Sequence, residues 1–197
     1  MPPTPDGVET DEVHWIGSGG GPVRVRQFRN GKGGVQPALI YMNGGDWVQG
    51  SPETHWDITA RLAAWAGVTV ISVDCALAPE HPCPAVVLQC RAVLRWVHAR
   101  ARTLGIDTDR IALGGDSAGG NLAAVTALWA RDQAVPHGPV SIGNTGLTPK
   151  GSACPNLPSV PDADGAVQTG TLFGQRPGQE EPFGTPRLQS YPSPRGR

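Results

Sequence analysis

Long apolar runs are missing from this chain. No stretch approaches the 18 or so apolar residues of a membrane-spanning helix, so no span is expected. A basic excess is missing too. Lys and Arg together number 16 against 17 Asp and Glu, a formal charge of −1, which removes the electrostatic footprint of a nucleic-acid binder. Lysine is almost absent, Lys32 and Lys150 being the only two, so arginine carries the positive charge. Cysteine is sparse, and Cys75, Cys83, Cys90 and Cys154 form no C-x-x-C pair. Neither a disulfide scaffold nor a metal site is therefore indicated, although Cys83 and Cys90 with a histidine remain a metal alternative. The four cysteines are expected to pack as small hydrophobes in a reduced compartment. The opening segment MPPTPDGVETDEV has no basic start and no apolar stretch of a signal peptide, so a cytoplasmic location is the expectation.

Glycine and proline are what the chain has in plenty, 27 and 20 of 197 residues. They are concentrated at the back, where residues 136–197 hold 11 prolines and 10 glycines. The same segment carries few large apolar side chains, too few to offset the entropy of ordering it. The domain reading that follows has three parts. Residues 1–22 are an irregular lead-in, 23–135 form a structured α/β half-domain, and 136–197 are a disordered tail.

Within 23–135 the hydrophobic pattern alternates between strand and helix. Val23–Phe28 (VRVRQF) has the period of a half-exposed strand. The turn after it, Asn30 to Gly34, has a Gly-Lys pair, but no Ser or Thr follows the lysine and a phosphate loop is not indicated. Ala38–Met42 and Val68–Val73 are apolar runs typical of strands buried on both faces. Between them Ser51, Pro52 and Glu53 suggest a helix start, with Ile58, Leu62 and Trp65 as its buried stripe and Gly67 as its stop. Ala85–Leu104 reads as a long helix burying Val86, Cys90, Val93, Val97, Ala101 and Leu104, capped by Gly105. Arg110–Leu113 is a third short strand, and Leu122–Arg131 a third helix. This order predicts a mostly parallel sheet with flanking helices. With no strand visible after residue 135, the sheet is expected to expose an edge beside Arg110–Leu113.

Chemistry is suggested by Gly115-Asp116-Ser117-Ala118-Gly119, a G-x-S-x-G sequence between an apolar strand and a helix. In that setting the serine sits on a sharp turn with its hydroxyl exposed, beside the positive end of the helix. Asn43-Gly44-Gly45 follows another buried strand, and glycines there let backbone N–H groups approach an oxyanion. A third segment, SVDCALAPEHPCPA (Ser72–Ala85), shapes a rigid turn and suggests no direct catalytic role.

Together the three segments resemble the hormone-sensitive-lipase-like branch of the α/β-hydrolases, a family of esterases and acetyl-hydrolases. Its consensus reads near HGGGW, DYRLAPEHPFPA and GDSAGGNLA; here the same places read NGGDW, DCALAPEHPCPA and GDSAGGNLA. The resemblance covers about Val23 to Arg131. It implies an incomplete α/β-hydrolase fold that hydrolyses short-chain acyl or acetyl esters through an acyl-enzyme, with no cofactor and a small-molecule ester as partner. Ser117 would be the nucleophile, and the N–H groups of Gly44, Gly45 and Ala118 the oxyanion hole.

Two positions depart from the pattern: Asn43 stands for the histidine and Asp46 for the third glycine. A carboxylate about 6 Å from a developing oxyanion would cost roughly 3 kcal/mol at an effective dielectric near 20. The family also supplies an acid and then a histidine after the serine. Here His137 is the sole histidine beyond Ser117, and Asp162 and Asp164 follow no strand pattern. The alternative expectation is thus a catalytically inactive, truncated hydrolase fragment or pseudoenzyme, with a change of reading frame near Val135 as one origin.

Overall fold

A computed structural model describes residues 5–31, 33–137 and 140–143. Its strands are β1 (Val8–Ile16), β2 (Val23–Asn30), β3 (Gln36–Met42), β4 (Thr69–Asp74), β5 (Ile106–Asp116) and β6 (Val140–Gly143). Its helices are α1 (Trp56–Ala66), α2 (Ala85–Leu104) and α3 (Ala118–Asp132). The strands form one six-stranded sheet in the order β1-β2-β4-β3-β5-β6. β4, β3, β5 and β6 run parallel, while β1–β2 and β2–β4 pair antiparallel. The α/β sheet with flanking helices is as expected.

β3 shows why the middle strands read as unbroken apolar runs. Successive side chains point to opposite faces, and both faces are covered. Ala38, Ile40 and Met42 enter the core under α2 and α3, while Leu39 and Tyr41 enter a second cluster under α1 with Trp56, Ala60 and Ala63. α2 buries every residue of its expected stripe. Gly105 then ends it in the left-handed region, at φ 63°, its N–H reaching the carbonyls of Ala101 and Arg102.

Several expectations need correction. The lead-in of residues 1–22 contains β1, whose acids alternate in a strand that pairs with β2 from Val8 to Ile16. β2 is largely buried, not half-exposed, because Asp11 covers Arg26 with a bidentate pair at 2.6 and 2.7 Å. α1 starts at Trp56; Ser51 instead closes a turn, accepting the amides of Glu53 and Thr54. Its buried face also differs from the expected stripe. Trp56, Thr59, Ala60 and Ala63 face the sheet, whereas Ile58 and Trp65 are exposed. Trp56 anchors the helix, small residues let it lie close, and of the expected stripe Leu62 packs partly against the cluster while Ile58 and Trp65 stay outside.

α3 begins at Ala118, four residues before the expected start. β6 lies parallel beside β5, Leu113 pairing with Val140, so the expected open edge next to Arg110–Leu113 is occupied. β6 also falls within the segment read as a disordered tail. The rest of that expectation, beyond residue 143, lies outside the described residues. Cys75 and Cys90 are buried and free, whereas Cys83 is disulfide-bonded. No helix among the described residues is long and apolar enough to cross a membrane.

Candidate active site

The site is assembled where β3 and β5 end side by side. Gly114 and Gly115 of β5 pair with Tyr41 and Met42 of β3, and the chain then turns abruptly into α3. Ser117 is the turning residue, at φ 50° and ψ −121°. A non-glycine residue there stores on the order of 1–3 kcal/mol of strain, which the surrounding packing must hold. The neighbouring glycines make the turn possible. A Cβ on Gly115 or Gly119 would overlap the Met42 carbonyl. Ser117 is half-buried. It precedes the first turn of α3, whose amides have no intrahelical acceptor and carry the positive end of the helix dipole. Ala118, the first of them, is buried.

The loop after β3 faces this turn and is fastened to it by Asp116. One carboxylate oxygen of Asp116 accepts the Tyr41 hydroxyl and the Gly44 N–H, each at 2.9 Å. The other lies 3.5 Å from His55 Nε2, and His55 Nδ1 is 2.9 Å from the Thr54 hydroxyl. Burial, together with the bond to Asp116, pushes the Tyr41 phenol well above its ordinary pKa. Gly44 has no room for a side chain, since a Cβ would overlap the Asp116 carboxylate. Its N–H is therefore engaged within the protein, in contrast to the oxyanion role that the resemblance implied for it. Sequence could not reveal this, because Asp116 and Gly44 stand 72 residues apart.

Gly45 adopts φ 125°, and its carbonyl accepts the amides of Val48 and Gln49 at 3.0 Å, closing the loop. Asn43, in place of histidine, is buried and donates to the Gly44 carbonyl at 2.9 Å. Asp46, in place of the third glycine, is exposed at φ 52°. Solvent at that position screens most of the penalty estimated for a carboxylate near the oxyanion. The Ser72–Ala85 segment braces the same loop, the Ala78 amide donating to the Trp47 carbonyl at 2.8 Å. Asn43, Trp47, Leu77, Ala118 and Leu122 line a small recess between the two.

Among the described residues no histidine is hydrogen-bonded to Ser117. All five histidines of the chain lie among the described residues, and Ser117 makes no side-chain hydrogen bond to any described residue. His55 has both ring nitrogens near Thr54 and Asp116. His14 faces Gln27 at 3.0 Å and lies against Trp96 with its ring tilted by 49°, and His98 meets the Pro136 carbonyl at 2.6 Å. His81 lies in an exposed turn, and His137 after α3. Among the described residues no group of three His, Cys, Asp or Glu could hold a metal.

A family model described as alpha/beta hydrolase fold matches residues 39–157, more than half of the chain. The carboxylic ester hydrolase LipN of Mycobacterium tuberculosis is 44% identical over 116 residues, 58% of this chain and 31% of that protein. An arylesterase of Saccharolobus solfataricus is 47% identical over 94 residues, 48% of this chain and 31% of that protein. Among solved structures, a hyperthermophilic esterase of Pyrobaculum calidifontis superposes with a TM-score of 0.66 at 44% identity, over 68% of this chain and 44% of that one. The chain thus spans about a third of the length of these curated relatives and under half of that structure. With its sheet order, its strained serine turn and these matches, the chain belongs to the alpha/beta hydrolase fold family.

Proposed function

We propose that this chain is built for acyl transfer from a short-chain acyl or acetyl ester to Ser117, as in carboxylic ester hydrolysis. The observation that carries the reading is Ser117 held at positive φ at the start of α3, opposite the glycine loop. In the reaction, Ser117 Oγ attacks the ester carbonyl carbon, and its proton passes through solvent to the oxygen of the departing alcohol. The carbonyl oxygen becomes an oxyanion, the alcohol leaves, and water later cleaves the acyl-serine. The N–H groups of Gly45 and Ala118 are the donors assigned to the oxyanion. Gly44 acts one step back, holding the loop to Asp116.

A second reading is favoured by the surroundings of Ser117, to which no described histidine is hydrogen-bonded. Without a histidine beside it, Ser117 keeps an ordinary, weakly nucleophilic hydroxyl, and the chain is a catalytically silent member of its family. The support for acyl transfer is the shape of the site; the support for silence is the surroundings of the hydroxyl. A fluorophosphonate probe separates them, because it modifies activated serines. Rapid, stoichiometric modification of the peptide that carries Ser117 establishes the hydrolase. No adduct under conditions that fully label a known serine esterase establishes the silent form. Slow, substoichiometric labelling is the expected result and counts, like the absence of an adduct, for the silent form.

A further inference from the structure

A second concave feature lies between the β1–β2 turn, α2 and α3, and none of its walls belongs to the serine turn or the glycine loop. Its volume is about 730 Å³, within the range of small-molecule sites. Its walls include Trp15, Trp96 and Trp129 together with Arg91, Arg95 and Arg100, and no Asp or Glu lines it.

Of the ten arginines among the described residues, five pair with no carboxylate: Arg29, which donates to backbone carbonyls, Arg102, and the three of this cleft. Arg24, Arg26, Arg61, Arg110 and Arg131 each pair with a carboxylate. Arg91, Arg95 and Arg100 pair with none among the described residues. Two are held by aromatic stacking instead, Arg91 and Arg95 lying 5.2 and 4.8 Å from the centre of the Trp129 ring. Arg91 Nε is fully buried without a hydrogen-bond partner, a cost that a merely solubilising arginine avoids by reaching water. Arg91 and Arg95 are also one turn apart, a spacing at which like charges repel, and α2 has no Asp or Glu along its 20 residues to relieve them.

Stacking on an indole leaves guanidinium N–H edges available, and those edges match the two oxygens of a carboxylate or phosphate. Trp15, 68% exposed on the rim, adds an apolar plane that favours a flat ligand. We propose that this cleft binds a planar aromatic anion, an aromatic ring bearing a carboxylate or a phosphate, through Arg91, Arg95 and Arg100. The site is independent of Ser117 and does not require the chain to be an active esterase.

The test uses the full chain, titrated by calorimetry with 2-naphthoate and with 2-naphthyl phosphate. Neutral 2-naphthylmethanol and inorganic phosphate serve as controls, and the indole N–H resonances of Trp15, Trp96 and Trp129 are followed by NMR. One or both anions should bind saturably and move those resonances, and the tighter of the two identifies the head group. Each control should bind at least about tenfold more weakly, and affinity should fall as salt rises. Arg95→Gln and Arg100→Gln change exposed side chains, so folding should be kept, while affinity falls about tenfold or more. Ser117→Ala should leave it unchanged. The proposal is overturned by no saturable binding, by controls that bind as tightly, or by arginine variants that bind as the wild type does.

Discussion

Against one face of the sheet, α2 and α3 bury an unbroken apolar layer that includes Val93, Val97, Leu113 and Leu122. The opposite face carries the smaller cluster under α1 and, beside it, a set of ion pairs. Arg24 meets Glu53 at 2.6 Å and Asp74 at 2.8 Å, and Arg26 meets Asp11 while its guanidinium lies 5.1 Å from the Phe28 ring centre. One face is thus closed mainly by apolar burial, where stability is set by how well the cavity is filled. The other is closed partly by charge, where it is set by whether each charge keeps its partner.

The largest expected effect comes from the apolar face. Leu113 is fully buried, and Leu113→Ala should lower unfolding free energy by about 2–5 kcal/mol in urea denaturation. A loss below 1 kcal/mol would mean that the layer is loosely packed. Next comes the charged face. The Arg26 side chain is only 8% exposed, so Asp11→Ala should cost about 3 kcal/mol by leaving a buried guanidinium without its closest carboxylate. Replacing both, as Arg26→Met with Asp11→Leu, should recover most of that loss, and failure to recover it would show that the pair does more than neutralise itself.

These two faces also differ in how far they could be read from sequence. α2 was legible over its whole length because a 20-residue helix repeats its apolar stripe many times. Ser117 was legible because its small neighbours are local in sequence. β1 was not, because VETDEVHWI is polar and becomes a strand only when Arg26 and Gln27 of β2 meet Asp11 and His14. The start of α3 was hidden by Gly119 and Gly120, poor helix formers. A side chain at Gly119 would strike the Met42 carbonyl, a contact 77 positions back in sequence that no local pattern records. α1 misled for the opposite reason. Its stripe of Ile58, Leu62 and Trp65 suggested the buried face, but the face on the sheet is Trp56, Thr59, Ala60 and Ala63, with only Leu62 of the expected three packed partly against it.

A smaller effect sharpens the charged side by pH. The Arg24 guanidinium holds the Glu53 carboxyl below its ordinary range. A lowered folded-state pKa adds stability that is fully present above the unfolded value near pH 4.3 and is lost as pH falls through the folded one. Because Glu53 is 31% exposed, solvent keeps this below about 1 kcal/mol. Thermal unfolding at pH 5 and pH 3 should show the loss in the wild type and a flatter profile in Arg24→Met. An equal acid slope in both would assign the loss to other carboxyls. The smallest effect belongs to the side chains left outside: Ile58→Ala and Trp65→Ala should each change stability by less than about 0.5 kcal/mol, and a larger loss would mean that something covers them.

The serine turn is formed, yet no histidine among the described residues is hydrogen-bonded to Ser117. Losing the histidine of a serine hydrolase costs roughly 10⁴ to 10⁶ in kcat, while oxyanion donors can leave about 10³ over water. Hydrolysis of p-nitrophenyl acetate by the purified chain, set beside Ser117→Ala, measures this directly. Marginal turnover is expected, changed little by the substitution. Brisk turnover abolished by Ser117→Ala would contradict it, and loss of that turnover in His137→Ala or His81→Ala would then identify the base.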